Sequence, residues 1–369
     1  MNSDFPRPTA APVEILSLAM DSPEDVSLLR TKLGREFEFD DVLAIFIKSE
    51  GNGLDNDFSR LLAARTLESL FAAKRLPMLV ISGGCEGFTT PHMLVVAARK
   101  LPASLGGGPS WLVATRIRTN QLNESEIGGP CHLEHCAEVI RNGISHLGLE
   151  PDEIAYIHAL TPMSDQAHAS KPASRAATAL AAAVALDGVD TKQAIEALRT
   201  NDQTVHGSRC AVTAGLTDGF VEFLIFANVS RAKAEKLQPG SAPVLSQQQL
   251  HCNTLPDPLE TTLLKQHLQN NGSSNPGHDP KLISLLYKAD PPLHGRLRGE
   301  RLAIDHDSDI HTFRHFRAAM SGVLAGATGS TRIFIGGGAE HHGPPGSGLL
   351  TVVTETSSYA GTPEQEPGI

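Results

Sequence analysis

Short runs of apolar residues, rich in valine, isoleucine and phenylalanine and bounded by glycine or proline, recur along the whole chain. Apolar runs of about four to eight residues are typical of buried β-strands. They predict strands at 13–20, 41–48, 77–82, 111–117, 153–160, 221–229, 281–288, 331–335 and 349–355. Between the strands, alanine- and leucine-rich segments with helical spacing predict helices. These are 58–74, 172–186, 191–199 and 311–325. The pattern predicts a mixed α/β (α+β) fold.

Polar residues at the ends of the predicted strands follow an order that occurs three times along the chain. A strand ends in a basic side chain, the next helix carries an arginine, and the next strand ends in a turn of small residues. The basic residues are Lys48, His158 and Lys288; the arginines are Arg60, Arg175 and Arg317; the turns begin at Ser82, Thr213 and Gly336. A single basic residue at a strand end is often only solvated, and a glycine often only permits a turn. Three occurrences in one order favour an internal triplication.

The repeat predicts three units of similar length and a loose C-terminal tail. Segments rich in glycine and proline near 106–109 and 238–243 mark the boundaries. The units are 1–107, 108–243 and 244–358, and the tail is 359–369. Residues 253–280 predict a long polar loop inside the third unit. Triplicated units commonly gather around a pseudo-threefold axis, so the equivalent strand ends are expected to converge on one central cleft.

Charge and composition narrow the possible classes of protein. The 369 residues carry a formal net charge of -10 and no cluster of lysine and arginine, which argues against nucleic-acid binding. No apolar stretch approaches the ~20 residues that span a bilayer, and the N-terminus lacks the basic start of a signal peptide. The five cysteines lack CxxC spacing, so neither a disulfide framework nor a zinc site is expected. These features predict a cytoplasmic protein without a membrane or nucleic-acid partner.

The repeated polar groups define the ligand that such a cleft would suit. Arginine offers a rigid, permanently charged fork for carbonyl oxygens and carboxylates. Backbone N–H groups at glycine turns hold an oxygen as negative charge develops on it. Lys48 and Ser82 add a base and a hydroxyl, because a lysine whose pKa is lowered by burial and nearby positive charge can take a serine proton. A small, planar, carbonyl-rich ring is the expected ligand.

Several stretches resemble the ring-opening amidohydrolases, the family of cyanuric acid hydrolase and barbiturase. They include KSEGNGLDNDFSR (48–60), ISGGCEGFTTPH (81–92), residues 295–322 and IGGGAEHHGPPGSG (335–348). The resemblance covers almost the whole chain in order and is weaker in the second unit. It implies a three-unit fold, sometimes called the Toblerone fold, and a homo-oligomer, commonly a tetramer. It also implies a pocket for a cyclic imide or ureide and no organic cofactor.

The resemblance implies a role for each repeated residue. Family members use three Ser-Lys pairs, and the pair in the second unit is thought to supply the attacking serine and its base. The implied catalytic residues are Lys48, Ser82, His158, Thr213 and Lys288. The implied substrate-binding residues are Arg60, Arg175 and Arg317, with the turns Ser82-Gly83, Thr213-Ala214 and Gly336-Gly337.

Three pair positions depart from the family pattern, where His158 replaces a lysine and Thr213 and Gly336 replace serines. One interpretation is a substitute dyad, because a histidine can act as base for a threonine. A second moves hydrolysis to Lys48-Ser82. A third retains the pocket for isomerisation, tautomerisation or ring closure, since a histidine of near-neutral pKa is a good proton shuttle. A fourth is metabolite binding without turnover.

The resemblance further implies a structural magnesium or calcium ion beside the third turn. Its ligands would be Asp290, Ala339, His342, Gly343, Pro344 and Ser347, mainly through main-chain carbonyls. Carboxylate and carbonyl oxygens suit such hard cations. His342 stands where the family has a glutamine, which is harmless if the contact is through the main chain.

Overall fold

The structure is a computed structural model, and it contains three groups of four strands that follow one another along the chain. It describes residues 10–51, 57–84, 87–99, 110–163, 170–216, 218–237, 247–262, 264–266, 281–292, 295–303 and 312–356. The first group is β1 (Ala11–Ala19), β2 (Val42–Lys48), β3 (Met78–Ser82) and β4 (His92–Ala98). The second is β5 (Trp111–Arg118), β6 (Ile154–Pro162), β7 (Cys210–Leu216) and β8 (Glu222–Val229). The third is β9 (Gln247–Leu255), β10 (Lys281–Ala289), β13 (Ile333–Gly336) and β14 (Gly348–Thr356).

The strand order is the same in all three groups. The third strand pairs in parallel with the second, and the fourth strand lies antiparallel between the second and the first. Pairing of β1 with β5 joins the first two groups into an eight-stranded sheet. The third group is a separate four-stranded sheet, and β11 (Arg296–Leu297) and β12 (Glu300–Arg301) form a small hairpin.

Helices connect the two parallel strands of each group, because parallel neighbours need a long crossover connection. These helices are α2 (Ser59–Leu70), α4 (Ser170–Leu186) with α5 (Thr191–Thr200), and α7 (Thr312–Thr328). The other helices are α1 (Ser27–Lys32), α3 (Pro130–His146) and α6 (Arg231–Lys236), with 3-10 turns at Phe39–Asp41 and Glu124–Glu126. In each crossover, the arginine of the repeat lies near the beginning of its helix.

Apolar side chains form one inner core and three outer cores. The inner core takes residues from strands of all three groups, such as Phe46, Tyr156 and Phe334. Each outer core packs the other face of one group against its helices. Since the strands are covered on both faces, most of them are almost continuously apolar rather than alternating, with β9 as the polar exception. This arrangement brings the strand ends of the three groups towards each other.

The mixed α/β fold class is confirmed, while the pseudo-threefold axis stays a prediction. The unit boundaries at 107/108 and 243/244 and the tail at 359–369 lie outside the described residues. The predicted ranges leave out strands β4, β7, β9, β11 and β12 and helices α1, α3 and α6. The polar loop expected at 253–280 was wrong at its start, because residues 253–255 belong to β9. In the part of the chain that the structure describes, none of the helices has the length and apolarity to cross a membrane.

Candidate active site

The ends of the parallel strand pairs place the repeated residues opposite one another. Lys48 on β2 pairs with Ser82 on β3, and Lys288 on β10 pairs with Gly336 on β13. In the second group, the residue opposite Thr213 is Leu160. His158 therefore does not have the register position of Lys48 and Lys288, and its role as their counterpart in the second unit stays a prediction. His158 lies two residues earlier on β6, which puts it on the same face of the strand.

His158 nevertheless reaches Thr213, because residues two apart on a strand project from the same face. Its Nε2 lies 3.1 Å from Thr213 Oγ1, and its Nδ1 lies 2.8 Å from the Tyr156 hydroxyl. The ring is 1% exposed and packs edge-on against Phe46 of the first group. Burial, together with the nearby charges of Lys288 and His342, holds the pKa of His158 well below its usual range. The histidine is therefore neutral and able to accept a proton.

Lys48 and Ser82 form a second pair with a different character. Lys48 Nζ donates to Ser82 Oγ at 3.1 Å, to the Gly83 carbonyl at 3.3 Å and to the Ile335 carbonyl at 3.5 Å. Ser82 Oγ in turn donates to the Ile335 carbonyl at 3.3 Å. An ammonium has three donors and no acceptor, and these three oxygens match that number. The Ser82 hydroxyl is therefore tied both to Lys48 and to the third group of strands.

The turn after β13 brings together predicted site residues from different groups. Ile335 contacts Lys48, and a Cβ placed at Gly336 would lie 3.7 Å from Lys288 Nζ. A Cβ at Gly337 would lie 3.8 Å from Arg317 Cδ. At Gly338 it would lie 2.6 Å from the Cζ of Arg175, so only a glycine permits this close approach. Arg60 packs in the same way on Gly83 of the first turn, with Cγ 3.0 Å from such a Cβ.

Glu340 holds the guanidinium of Arg175 through two hydrogen bonds. Arg175 Nε donates to one carboxylate oxygen at 2.7 Å, and Nη2 donates to the other at 2.6 Å. A bidentate pair of this kind fixes the plane of the guanidinium. Its Nη1 takes no part in these two bonds.

Lys288 is buried among other cationic groups and has no serine opposite it. Burial, followed by the charges of Arg175 and Arg317, lowers the pKa of Lys288 to about 7, although Glu340 and Asp290 oppose the effect. The amine is therefore divided between its two protonation states at neutral pH. Because Gly336 lacks a side chain, the space beside this amine is open to a ligand atom.

Five of the six predicted cation ligands lie in the loop after β13, and the sixth, Asp290, directly follows β10 and binds that loop. Asp290 accepts hydrogen bonds from the amides of Gly338 at 2.7 Å and Ala339 at 2.6 Å. His342 Nε2 accepts the Val212 amide at 2.8 Å, and its Nδ1 donates to the Glu340 carbonyl at 2.6 Å. The imidazole of His342 therefore cannot be a ligand.

The oxygen donors of this loop still suit a hard cation. The main-chain carbonyls of Ala339 and Pro344 accept backbone amides of the same loop, and each keeps a second lone pair. Among the described residues, no cluster of three histidine, cysteine, aspartate or glutamate side chains forms a metal site. Carbonyls and one carboxylate remain the donor set, as expected for magnesium or calcium. The cation stays a prediction.

Three further residues of the site were missed by sequence reasoning. Tyr156 lies two positions before His158 on the same strand face, a spacing that could have identified it. Glu340 is the acid of the GGGAEHH stretch and binds Arg175. Leu160 carries no polar signal, so only the strand register reveals that an apolar side chain occupies the position of a lysine.

The class of protein follows from comparison of this chain with known families. A family model described as amidohydrolase ring-opening protein matches residues 14–355. The chain belongs to the ring-opening amidohydrolase family.

Individual relatives agree with this assignment. A cyanuric acid amidohydrolase of Methylobacterium sp. (strain 4-46) is 33% identical over 375 residues, which cover 94% of this chain and 98% of that protein. A cyclic amide hydrolase of Azorhizobium caulinodans is 28% identical, over 92% of this chain and 99% of the relative. The crystal structure of a cyanuric acid hydrolase from A. caulinodans superposes with a TM-score of 0.77 at 27% identity, covering 95% of this chain and 100% of that one.

Proposed function

We propose that this protein hydrolyses a small cyclic imide or ureide, with Thr213 as the nucleophile and His158 as its base. The observation that carries the proposal is the 3.1 Å contact between His158 Nε2 and Thr213 Oγ1, made by a histidine that burial keeps neutral. Relatives named cyanuric acid amidohydrolase and cyclic amide hydrolase support a cyclic amide as the substrate. Lys48, by contrast, is held by three oxygen acceptors, which orient it and Ser82 beside the third turn.

The reaction follows the general course of acyl transfer. Thr213 Oγ1 attacks a ring carbonyl carbon while His158 Nε2 takes the hydroxyl proton. The tetrahedral intermediate collapses, the ring C–N bond breaks, and His158 returns the proton to the leaving nitrogen. An ester then joins the opened ring to Thr213. Water, deprotonated by His158, attacks this ester, the bond between the acyl carbon and Thr213 Oγ1 breaks, and His158 returns the proton to Thr213 Oγ1. A carboxylic acid is released, so the net change is the addition of one water.

The cationic groups around the pair bind the ring and the charge that develops on it. Arg60, Arg317 and Nη1 of Arg175 face carbonyl oxygens, with the Ser82-Gly83 and Gly336-Gly337 turns beside them. Lys288 in its protonated form adds a donor at the position where Gly336 leaves space. These groups explain how a neutral or anionic ring is held without an organic cofactor.

Two further features belong to the proposal. A divalent magnesium or calcium ion, held by Asp290 and the carbonyls of Ala339, Gly343 and Pro344, would brace the loop that carries Glu340. The protein would assemble as a homotetramer, which its mass in solution tests. Neither feature enters the chemical steps.

Incubation with cyclic amides is expected to yield a product heavier than the substrate by one water. Cyanuric acid, barbituric acid and related cyclic imides are the substrates to screen, with product mass read by mass spectrometry. A product of unchanged mass would instead establish isomerisation, and saturable binding without turnover would establish a binding protein. Either result would overturn the hydrolytic proposal.

Replacement of Arg60 or Arg317 by alanine is expected to weaken ligand binding by about ten- to a hundredfold, because each change removes charge-assisted hydrogen bonds worth ~1.5 to 3 kcal/mol. Binding of barbituric acid is measured by calorimetry. The matched control is Arg65→Ala, since Arg65 lies on the same helix as Arg60 but its side chain is 72% exposed and pairs with Glu68. Equal affinity in Arg60→Ala, Arg317→Ala and Arg65→Ala would contradict the common binding site.

A further inference from the structure

A pair of hydroxyl side chains joins the end of the second strand to the crossover helix in each of the first two groups. In the first group, Ser49 directly follows β2, and its Oγ lies 3.2 Å from Oγ of Ser59, the first residue of α2. Ser59 Oγ also hydrogen-bonds the carbonyl of Glu50 and, at 2.6 Å, the carboxylate of Asp57. Ser59 directly precedes Arg60. The helix is therefore tied to the strand end one residue before the arginine.

The second group repeats this arrangement at the equivalent positions. Thr161 Oγ1 lies 2.7 Å from Oγ of Ser174, and Ser174 Oγ donates to the carbonyl of Pro162 at 2.8 Å. Thr161 follows Leu160, the residue in the register position of the lysines of the other groups, and Ser174 directly precedes Arg175. We call these two pairs the hydroxyl clasps: Ser49 with Ser59, and Thr161 with Ser174.

The third group has apolar residues where the other two have hydroxyls. The equivalent positions are Ala289, which follows Lys288, and Phe316, which precedes Arg317. Both are buried in the outer core of that group. Replacement of both partners of a hydrogen bond by apolar groups can be nearly neutral, whereas loss of one partner leaves the other unsatisfied. The two positions are thus matched within each group, either both hydroxyl or both apolar.

A buried histidine of α3, His132, supports the clasp of the second group. The Gly128 amide donates to His132 Nδ1 at 2.9 Å, and burial, as the main cause, lowers the pKa of the ring to about 4. The proton of the neutral ring therefore lies on Nε2, which is 3.1 Å from Thr178 Oγ1. Thr178 Oγ1 lies 2.9 Å from Thr161 Oγ1 and also donates to the Ser174 carbonyl at 2.9 Å.

The hydrogen bonds of this series agree in direction. Ser174 gives its proton to a carbonyl, so its oxygen accepts from Thr161. Thr161 Oγ1 in turn accepts from Thr178, which accepts from His132. All four side chains are buried. A buried polar network whose members are all satisfied specifies one rigid arrangement. The beginning of α4 is therefore held firmly on the end of β6.

We propose that the hydroxyl clasps position the substrate arginines Arg60 and Arg175 at the ends of the parallel strands. The clasp residues are positioning residues, which act through the arginines and do not touch the substrate. The placement of Arg175 has little tolerance, because its guanidinium meets Glu340 in two hydrogen bonds and lies against the backbone of Gly338. The role in binding rests on the proposed function.

Thr161 offers a matched pair of variants that tests the clasp away from the ligand. Thr161→Val has nearly the same shape and lacks the hydroxyl, whereas Thr161→Ser keeps it. The Nε–H of Arg175 donates to Glu340, and its exchange with water reports how firmly the guanidinium is held. Exchange is measured by NMR on full-length, ¹⁵N-arginine-labelled protein, with the signal assigned by its loss in Arg175→Ala. Calorimetry gives the affinity for barbituric acid.

The wild type and Thr161→Ser are expected to show slow exchange of the Arg175 Nε–H and similar affinity. Thr161→Val is expected to speed this exchange about tenfold and to weaken binding of barbituric acid about tenfold. In an Arg175→Ala background, Thr161→Val is expected to cause no further loss of affinity, because the clasp acts through the arginine. Ser174→Ala breaks the same clasp by shortening a side chain and is expected to act in the same direction, so either variant that folds decides.

Unchanged exchange in the folded variants would overturn the positioning role. An equal loss of affinity with and without Arg175 would also overturn it, since that result assigns the clasp a purely structural effect. The exchange is read without a ligand, so failure to bind or hydrolyse any cyclic amide counts against the proposed function alone.

Discussion

Replacement of Thr213 by alanine is expected to lower the turnover of a cyclic amide at least ~10³-fold, because the variant loses the atom that attacks the ring carbonyl. Product release followed over time gives kcat for each variant. The melting temperature is expected to change little, since Thr213 is only partly buried. Thr213→Ser keeps a hydroxyl at the same distance from His158 Nε2 and is expected to stay active.

Ser82→Ala is the comparison that separates the two possible pairs. Ser82 Oγ accepts from Lys48 and donates to the Ile335 carbonyl, so its loss removes one hydrogen-bonding group from the binding site. A net hydrogen bond of ~0.5 to 1.5 kcal/mol corresponds to an effect of up to about tenfold. A Ser82→Ala variant more impaired than Thr213→Ala would move the chemistry to Lys48 and the first group of strands.

Much of the site could be predicted because it lies where buried strands end. Lys48 and Lys288 each end an apolar run, and a charged residue at the end of such a run can be recognised directly in the sequence. Ser82 and Gly336, the small residues opposite them, also stand at the end of an apolar run, on the neighbouring strand. The structure pairs both sets in register. Position 338 requires a glycine for a steric reason, because the guanidinium of Arg175 lies against its backbone.

The second group shows where the sequence pattern fails. The repeated order of residues puts His158 in the place of a lysine, but the register of β6 with β7 places Leu160, two residues later on the same face, opposite Thr213. Leu160 occupies that position, and its side chain joins the inner core with Phe46. Nothing in the local sequence distinguishes the two arrangements, because the partner strand β7 decides between them.

The helices and strands that the sequence did not predict also have physical explanations. β9 begins with three glutamines and reads as polar, yet Gln248 is buried because its side chain pairs with the backbone N–H and C=O of Ile15. α3 begins at Pro130, a residue suited to the first turn of a helix, and its buried positions Leu133, Ile140 and Ile144 follow helical spacing. α3 was predictable, whereas the burial of Gln248 depends on a strand more than two hundred residues away.

Replacement of Lys288 by methionine is expected to stabilise the protein, most strongly below pH 7. The pKa of this lysine falls from 10.5 to about 7 in the folded state, chiefly through burial. Below pH 7 the amine is protonated in both states, and the folded state carries the full cost of the buried charge. A shift of this size corresponds to a cost on the order of 5 kcal/mol. Methionine fills a similar volume without that charge.

The pH dependence of the stability difference between Lys288→Met and the wild type distinguishes removal of a buried charge from a simple gain in packing. Between pH 7 and 10.5 the unfolded wild type binds the proton and the folded wild type does not, so wild-type stability rises with pH. The advantage of Lys288→Met is therefore expected to shrink over that window and to vanish near its upper end. Melting temperatures of both proteins across the window measure it, and a difference independent of pH would contradict the buried-charge explanation. The same variant is expected to bind barbituric acid more weakly, because the charge that costs stability is the one offered to the ligand beside Gly336.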